Sequence, residues 1–393
     1  MTPAARVEAA IGLLDRIIAA ALAKGPPADR LLAEWFRANR FAGSKDRRAI
    51  RELVYRAIRA CGPIPQTGRA AMLALGESDP SLLLLFDGSP YGPAPIEEGE
   101  LVAEAGIAPE WLVERLSASG IEEAEAAALL ERGPLDIRVN ALKADRDTMQ
   151  QALEAEILAA PNGLRLPTGS PVEQLPQYVE GLIEVQDGGS QLACEAVGAA
   201  PGETVIDLCA GAGGKTLALA AAMANQGTLI AADTDRGRLQ RLAPRAERAG
   251  AVVAETVLLN PNRELEALAA WHGKADAVLV DAPCSGTGTW RRNPEARWRL
   301  DDAALERLTV LQQHLLGVAA ELVKPGGRLV YVVCSLLDEE GAGQVEAVLA
   351  AHPNWRAVPP ALPLGRQRGT GVRLTPFHDG TDGFLIARLE KPC

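Results

Sequence analysis

The sequence predicts an α/β fold with a doubly wound, mostly parallel sheet, preceded by an all-helical region. Residues 4–61 place apolar side chains at helical spacing with no strand between them. After Gly202, apolar segments alternate with helices of ten or more residues, which is the pattern of a parallel sheet. The chain has 393 residues, 48% of them hydrophobic, and can therefore bury two or three separate cores.

Three domains are predicted, taken here in chain order. The helical pattern is interrupted by a Pro/Gly-rich acidic loop at 87–100 and then resumes, so we expect an all-helical domain over 1–132. At 136–141 the pattern changes to the alternation of a half-buried strand. We therefore expect a small α/β subdomain over 133–195 and the parallel sheet over 196–393.

The third domain carries the clearest strand and helix signals. Its predicted strands are 203–210, 228–235, 251–259, 276–281, 328–334 and 383–389. Its predicted helices are 215–224, 236–250 and 302–323. Sheets of this kind bind ligands beyond the carboxyl ends of their strands. We therefore expect the binding and catalytic residues in the loops that follow the strands.

Acidic charge is concentrated in one segment of the chain. The formal net charge is −11, but residues 77–132 contain thirteen Asp or Glu against two Arg, so the remainder is neutral. Residues 29–60 hold nine Lys or Arg against four acids, and 291–299 hold four Arg against one Glu. Such runs fit either solvated helix faces or contacts to nucleic-acid phosphates, and charge alone does not decide between them.

Cysteine spacing and hydropathy argue against several protein classes. The six cysteines form no CxxC pair, so we expect neither a disulfide framework nor a metal site. The amino terminus lacks the basic and apolar regions of a signal peptide, and no window approaches the roughly 18 apolar residues of a membrane span. We therefore expect a cytoplasmic protein with no membrane partner. We also expect a monomer.

The loop 209-CAGAGGKT-216 joins a predicted strand to a helix, where glycines let the backbone approach a ligand. A phosphate-binding P-loop would need Gly at Cys209, and a dinucleotide fingerprint would need Gly or Ala at Thr216. A loop that binds S-adenosylmethionine (SAM) requires fewer specific residues, because SAM has no pyrophosphate. Asp233, twenty-two residues after Gly211, is placed to bind ribose hydroxyls of a dinucleotide or of SAM. The loop alone does not choose between these ligands.

Two cysteines follow buried strands. Cys284 lies in 281-DAPCSGTG-288 directly after an apolar run, and Cys334 ends the predicted strand 328–334. If the two strands are neighbours, the two thiols converge above one cleft. A lone buried cysteine usually acts as a small hydrophobic residue, but a pair beside a ligand loop favours nucleophilic chemistry on an electron-poor ring carbon. Structural roles are expected for the cysteines outside such loops, Cys61, Cys194 and Cys393.

Six motifs give the chain a specific resemblance. They are 136-DIRVNALK-143, 186-QDGGSQ-191, 207-DLCAGAGGKT-216, 281-DAPCSGTGTWRRNPEARW-298, 331-YVVCSLLDEEG-341 and 379-DGTDGFLIARL-389. In residues, order and spacing they resemble the Nol/Nop/Sun family of RNA cytosine-C5 methyltransferases, and most closely its Sun/Fmu branch, which modifies 16S ribosomal RNA. The helices around 45–59 look like the NusB-like RNA-binding domain of that branch. The resemblance covers nearly the whole chain.

The resemblance implies a Rossmann-like, SAM-dependent methyltransferase domain whose partner is small-subunit ribosomal RNA. Cys334 would be the nucleophile that adds to cytosine C6, and Cys284 would assist release of the methylated product. Asp281 would hydrogen-bond N3 and the exocyclic amine of the cytosine. The implied cofactor contacts are Cys209, Ala210, Gly211, Ala212, Gly213, Gly214, Lys215, Asp233, Arg238, Asn260 and Asp281.

Two positions depart from the family pattern. Val333 precedes the nucleophile where Thr is usual, which removes a hydroxyl near the thiol. After the third strand the family offers an Asp to the adenine amine, and Asn260 is the candidate for that contact here. Contacts to RNA are expected from basic and polar side chains, namely Arg47, Arg48, Arg51, Arg138, Asn140, Arg291 and Arg292.

Two other functions stay open from the sequence alone. An RNA-binding or ribosome-assembly protein with an inactive methyltransferase domain would keep the same motifs. An NAD-dependent oxidoreductase would use the same sheet, but it would need a small residue at Thr216 and would leave the paired cysteines unexplained.

Overall fold

The computed structural model describes residues 1–393, which form two compact units. Residues 1–131 and 289–301 make up a helical unit. Residues 132–288 and 302–393 make up an α/β unit. No helix in the chain is both long enough and apolar enough to cross a membrane.

Seven helices build the amino-terminal part of the helical unit. They are α1 (Pro3–Leu22), α2 (Ala28–Ala38), α3 (Ser44–Ala60), α4 (Gly68–Ser78), α5 (Pro80–Leu83), α6 (Glu110–Ala118) and α7 (Glu123–Ala128). Helix α1 begins where the Thr2 hydroxyl accepts a hydrogen bond from the Ala5 N–H, with Pro3 in its first turn. Apolar side chains such as Ile17 and Ile50 meet in one core, which confirms the predicted helical region.

Residues 289–301 complete the helical unit with a short 3-10 helix (Pro294–Arg299). Trp298 is buried in the same apolar core as the helices. Arg297 is fully buried and donates hydrogen bonds to the carbonyls of Ile58 (2.7 Å) and Cys61 (2.6 Å). Because the last carbonyls of a helix have no partner within it, Arg297 satisfies the carboxyl end of α3.

The α/β unit opens with a four-stranded antiparallel sheet in the order β2-β3-β1-β4. Its elements are β1 (Leu135–Val139), α8 (Arg146–Leu153), β2 (Glu156–Ile157), β3 (Gly163–Leu166), α9 (Pro176–Val179) and β4 (Ile183–Val185). Ile137 and Val139 of β1 lie in the apolar core of this sheet. Asp136 and Arg138 therefore lie on its opposite face, as the alternation of a strand requires.

The remaining elements form the large sheet and its covering helices. They are α10 (Gly188–Val197), β5 (Thr204–Asp207), α11 (Gly214–Ala222), β6 (Thr228–Asp233), α12 (Arg236–Leu239), α13 (Leu242–Ala249), β7 (Glu255–Leu258), α14 (Glu264–Ala267), β8 (Ala275–Asp281), α15 (Asp302–Leu322), β9 (Val323–Val333), α16 (Ala342–Ala351), β10 (Arg356–Ala357), β11 (Arg366–Arg368), β12 (Gly371–Leu374), α17 (Pro376–Asp379) and β13 (Phe384–Glu390). The strand order is β11-β12-β13-β9-β8-β5-β6-β7, with β10 paired to β13.

Strands β9, β8, β5, β6 and β7 are parallel, and β10 to β13 add antiparallel pairs at one side. The predicted doubly wound, mostly parallel sheet is confirmed. Its strands carry nearly continuous apolar runs because helices cover both faces. Strands β5, β8 and β9 are neighbours, so the loops that follow them open at the same edge.

One predicted helix differs from the structure. The pattern over 236–250 predicts a single helix, but the chain forms α12 and α13 with a break at Gln240 and Arg241. The cause is Pro244, which has no N–H to donate to the Gln240 carbonyl and whose ring clashes with that carbonyl in a continuous helix.

Candidate active site

The glycine loop between β5 and α11 forms one wall of the site. Gly211 and Gly213 adopt positive φ angles of 57° and 86°, a conformation that favours glycine. A Cβ on Gly213 would meet the Leu242 side chain at 2.1 Å, and one on Gly211 would meet the Arg238 guanidinium at 2.6 Å. The loop therefore needs these glycines to pass close to its neighbours, and Arg238 lies directly over it.

Asp233 fixes the glycine loop from the end of β6. Its Oδ2 accepts a hydrogen bond from the Gly211 N–H at 2.7 Å, and its Oδ1 accepts one from the Asp235 N–H at 2.7 Å. Each oxygen retains a second lone pair. The carboxylate can therefore accept hydrogen bonds from ligand hydroxyls while it holds the loop.

Asp207 ends β5 beneath the same loop. Its Oδ2 accepts a hydrogen bond from the Thr216 hydroxyl at 2.7 Å, whereas its Oδ1 is buried and has no partner. Burial raises the pKa of Asp207 to about 7. An unsatisfied carboxyl oxygen at the floor of a glycine loop fits a ligand that carries a positive charge or a hydrogen-bond donor. SAM offers both, so the residues present are compatible with that cofactor.

Cys284 and Cys334 converge as their strands predict. Cys284 follows β8, Cys334 follows β9, and the two Sγ atoms are 3.3 Å apart. The hydrogen bond to Cys334 and then burial raise the pKa of Cys284 well above its usual value. Cys284 therefore holds its proton more tightly than an isolated thiol does, with the Cys334 sulfur within hydrogen-bond distance.

Lys215 and Asp281 form an ion pair beside the thiols. The Lys215 Nζ lies 2.6 Å from the Asp281 Oδ2 and 5.9 Å from the centre of the Phe384 ring. Burial lowers the pKa of Lys215, but the charge and hydrogen bond of Asp281, together with the nearby Cys194 and Cys334, outweigh burial and raise it. Lys215 is therefore a permanent cation that holds Asp281 at the carboxyl end of β8.

A buried polar network joins the two cysteine loops, and the sequence did not reveal it. Glu340 is fully buried and accepts hydrogen bonds from the Ser285 N–H (2.8 Å), the Ser285 hydroxyl and the Ser335 hydroxyl (2.6 Å). Gln312 of α15 donates to Glu340 at 3.0 Å and to the Pro283 carbonyl at 2.9 Å. Ser285 and Ser335 each directly follow one of the two cysteines, so this network sets the spacing between the thiols.

The sequence held only part of the signal for that network. The run 338-DEE-340 resembles a solvated acidic turn, and nothing in its composition indicates that Glu340 is buried. The matching Cys-Ser pairs at 284–285 and 334–335 were the one visible hint.

Other predicted site residues are more dispersed. Cys209 is half-buried against the sheet core, Ala210 is buried in the apolar cluster that includes Leu217 and Leu242, and Ala212 is half-buried in the loop. Gly214 begins α11 and has open space where a Cβ would lie. Asn260 is exposed beyond the end of β7, at the outermost parallel strand. Val333 is fully buried in the sheet core, so the position where Thr is usual serves packing here.

Two of the candidate RNA contacts, Asn140 and Arg291, are buried. Asn140 is buried, and its Nδ2 donates to the carbonyls of Gly181 (2.8 Å) and Ala249 (2.7 Å). Its amide N–H groups are therefore used inside the unit, and the expectation that it contacts RNA was wrong. Arg291 is buried in the helical unit and accepts a hydrogen bond from Arg59 on its carbonyl (3.0 Å).

Comparisons with known proteins agree with this geometry. Residues 196–390 match the family described as 16S rRNA methyltransferase RsmB/F, and residues 108–173 match the ferredoxin-like domain of RsmF/B-like methyltransferases. The chain is 38% identical over 292 residues to ribosomal RNA small subunit methyltransferase B of Xylella fastidiosa, covering 72% of this chain and 68% of that protein. The corresponding protein of Cronobacter sakazakii is 32% identical over 311 residues, covering 75% of this chain and 70% of that protein.

The matched region spans between 65% and 70% of the length of such relatives. Among solved structures, PH0851 superposes with a TM-score of 0.78 at 26% identity and covers 100% of this chain and 99% of its own. The fold, the motifs and the relatives agree. The chain therefore belongs to the RsmB/F family of 16S rRNA methyltransferases, which are SAM-dependent enzymes with a Rossmann-like fold.

Proposed function

We propose that this protein is a SAM-dependent methyltransferase that forms 5-methylcytosine in 16S ribosomal RNA, in the cytoplasm where ribosomes are assembled. One observation carries the proposal. Two thiols lie 3.3 Å apart at the ends of adjacent strands, beside a glycine loop suited to SAM, and the pKa of one of them, Cys284, is raised. One thiol can begin a covalent cycle and the other can end it.

Cys334 begins the reaction. Cytosine C5 is a poor nucleophile, and addition of the Cys334 thiolate to C6 gives it the electron density of an enamine. Asp281, held by Lys215, would hydrogen-bond N3 and the exocyclic amine, where charge develops as the thiolate adds. When SAM is bound, it supplies the methyl group that C5 accepts.

Cys284 ends the reaction. Its pKa is raised mainly because it shares a proton with Cys334. Once the Cys334 sulfur is bonded to C6, that cause disappears and the Cys284 thiol becomes more acidic. Cys284 is then suited to help remove the C5 proton, after which the electrons of the C5–H bond form the C5–C6 double bond and expel the Cys334 thiolate.

We propose cofactor contacts for residues around the glycine loop and for Asn260 beyond β7. Asp233 would accept hydrogen bonds from the ribose hydroxyls, and Arg238 would cover the loop. Asp207 would receive the positively charged part of the cofactor on its unpaired oxygen. For the adenine amine, Asn260 is the proposed contact because it follows the third parallel strand of this half of the sheet.

Nucleoside mass spectrometry tests the proposal. The purified protein is incubated with isotopically labelled SAM and with 16S ribosomal RNA from cells that lack this methyltransferase. We expect label in 5-methylcytidine, and none when Cys334→Ala replaces the wild type. Label in another nucleoside would contradict the cytosine chemistry. RNA binding without any label would favour an RNA-binding protein with an inactive methyltransferase domain.

A further inference from the structure

Arg138 is a buried cation with no partner in the protein. It lies on β1 and is 6% exposed, its side chain makes no hydrogen bond or ion pair, and its Nε is buried and unsatisfied. Burial accordingly lowers its pKa. Buried charges in proteins are normally paired, because an isolated charge loses its hydration without compensation. A buried and unpaired guanidinium is suited to bind an anionic group of a ligand.

The neighbours of Arg138 on the strand show where it lies. Asp136 of β1 and Asn140, which directly follows β1, lie two residues away on either side and share its face. The Asp136 Oδ2 accepts a hydrogen bond from the Gly188 N–H at the start of α10 (3.2 Å), and Asn140 donates to the Ala249 carbonyl at the end of α13 (2.7 Å). Arg138 is therefore enclosed between β1, the start of α10 and the end of α13.

Positive charge exceeds negative charge around Arg138. Glu184, opposite it on β4, already accepts hydrogen bonds from Arg245 (2.9 Å) and Arg248 on its two carboxylate oxygens. Glu195 of α10 is the other nearby acid, and it is exposed to solvent. The carboxylates of Glu184 and Glu195 are therefore outnumbered by the guanidinium groups of Arg138, Arg245 and Arg248. Both oxygens of Glu184 are already hydrogen-bonded to the other two arginines.

The charged cluster of Arg138, Glu184, Arg245 and Arg248 adjoins the glycine loop. The Arg245 Nη1 donates to the carbonyl of Ala212 in that loop at 2.7 Å. Cys194 of α10 is near both groups, since the charges of Lys215 and Arg138 each act to lower the pKa of its thiol against the larger effect of burial. A ligand held at the loop has an anion-binding position within its reach.

We propose that Arg138 is an anion subsite of the active site, which binds a carboxylate or phosphate group of a ligand seated at the glycine loop. The inference rests on the proposed function. Two sources supply such an anion, the amino-acid carboxylate of the cofactor and a backbone phosphate of the RNA. A planar guanidinium binds either group through paired N–H donors.

The test compares ligands that differ only in the carboxylate-bearing tail. In full-length Arg138→Met, the Kd of S-adenosylhomocysteine is measured by calorimetry beside that of 5′-methylthioadenosine, and the Kd of a 16S RNA fragment by filter binding. If the anion is the carboxylate, the Kd of S-adenosylhomocysteine rises at least tenfold and that of 5′-methylthioadenosine does not change. If it is a phosphate, only the RNA Kd rises tenfold. Unchanged Kd values for all three ligands would overturn the proposal.

Two controls test whether a change in Kd is specific to Arg138 and whether the variant remains folded. Arg146→Met removes a partly exposed arginine at the start of α8, which packs on the same small sheet, and should leave all three Kd values within twofold. Arg138→Met should unfold at the wild-type temperature or above, since it removes no internal partner, and a large fall in Tm would also overturn the proposal. Failure of the proposed function is separate, because the wild type itself would then bind no S-adenosylhomocysteine.

Discussion

At the scale of single residues, the two thiols differ in their environment although their sulfur atoms are 3.3 Å apart. Cys284 keeps its proton because Cys334 is beside it and because it is buried. The proposed cycle therefore assigns attack to Cys334 and release to Cys284. The two roles separate when one cysteine is removed at a time.

Cys284→Ala should trap the covalent intermediate. With Cys334 intact, addition to C6 and methyl transfer still proceed, but release slows and RNA stays linked to the enzyme. A slow-migrating protein–RNA band should appear in denaturing gels and disappear in the Cys284→Ala/Cys334→Ala double variant. If the single variant gives no band while the wild type transfers methyl groups, release belongs to another residue.

Asp207 predicts a pH dependence of stability. Its pKa in the folded protein is about 7, above its ordinary value of about 3.8, so the folded state holds its proton more tightly than the unfolded state does. Its contribution to stability is complete below about pH 4 and is lost as the pH rises to about 7. The loss is at most about 4 kcal/mol, since one pKa unit corresponds to about 1.4 kcal/mol.

Asp207→Asn should therefore gain stability relative to the wild type as the pH rises from 5 to 8. Urea unfolding of the ligand-free protein at both pH values measures the difference. Asp276→Asn is the control, because the Lys324 and Thr204 hydrogen bonds outweigh burial and keep the pKa of Asp276 below its usual value. Its difference from the wild type should not change over this range. A constant difference for Asp207→Asn as well would contradict a neutral Asp207.

The positions of these residues could be read from the sequence to different extents. Cys284, Cys334 and Asp233 follow apolar strands, so their meeting at one sheet edge was predictable from the pattern alone. Arg138 was recognisable as a polar residue on a half-buried strand, but its lack of a partner depends on Arg245 and Arg248, more than a hundred positions away. Such saturation of one carboxylate by distant residues has no local sequence signal.

At the scale of secondary structure elements, Glu340 links the loops that follow β8 and β9. Its carboxylate receives hydrogen bonds from Ser285, Ser335 and Gln312, and its own carbonyl accepts one from the Tyr331 hydroxyl at 2.6 Å. The parallel pairing of β8 and β9 sets the strands side by side, but it leaves the following loops free. The network supplies the remaining constraint on the thiols.

Glu340→Gln should lower methyl transfer at least tenfold with little change in SAM affinity. The amide keeps the size of the side chain but has only one acceptor oxygen. Both oxygens of the Glu340 carboxylate accept hydrogen bonds in the wild type, so some donors lose their acceptor and the loops move apart. The rate of Cys334 alkylation by iodoacetamide, measured against pH, should shift because the Cys284–Cys334 hydrogen bond is disturbed. Loss of stability alone would leave that profile unchanged.

The exposed Glu346 of α16 is the matched control for Glu340. Glu346→Gln changes the same side chain six residues further along the chain, outside the network, and should leave both rate and alkylation profile at wild-type values. If the two variants behave alike, Glu340 does not position the thiols.

Element boundaries were predictable where apolar runs decide them and not where a single residue intervenes. The large sheet follows from its alternation of strands and helices. The break between α12 and α13 follows from Pro244, and its effect on the hydrophobic pattern is small because Leu239, Leu242 and Ala246 share one apolar cluster across the break. The apolar spacing of a helix therefore continues across residues 240–241, although the helical hydrogen bonding is interrupted there.

At the scale of the whole molecule, the chain builds its helical unit from two separate stretches. Residues 289–301 lie between β8 and α15 in sequence, and their motif continues directly from the Cys284 loop, yet they belong to the helical unit. Local pattern could not predict this, because four arginines in nine residues indicate a solvated surface. Arg297 is instead completely buried among backbone carbonyls at the end of α3.

Arg297→Met should loosen the helical unit and leave the parallel sheet intact. The substitution removes the donors to the Ile58 and Cys61 carbonyls, and unsatisfied buried carbonyls together with the lost charge-assisted hydrogen bonds cost about 3 kcal/mol or more. Hydrogen–deuterium exchange should accelerate about a hundredfold in α1 and α3, while β5, β6 and β8 exchange as in the wild type.

The control for Arg297 is Arg30→Met, which removes an exposed arginine of α2 whose ion-pair partner is Glu34 on the same helix. A surface pair of this kind contributes at most about 1 kcal/mol, so exchange in α1 and α3 should stay close to wild type. Faster exchange in the parallel strands of the Arg297 variant would mean that the two units unfold together. Because the arginine and the carbonyls that it satisfies all lie in the helical unit, we expect the effect to stop there.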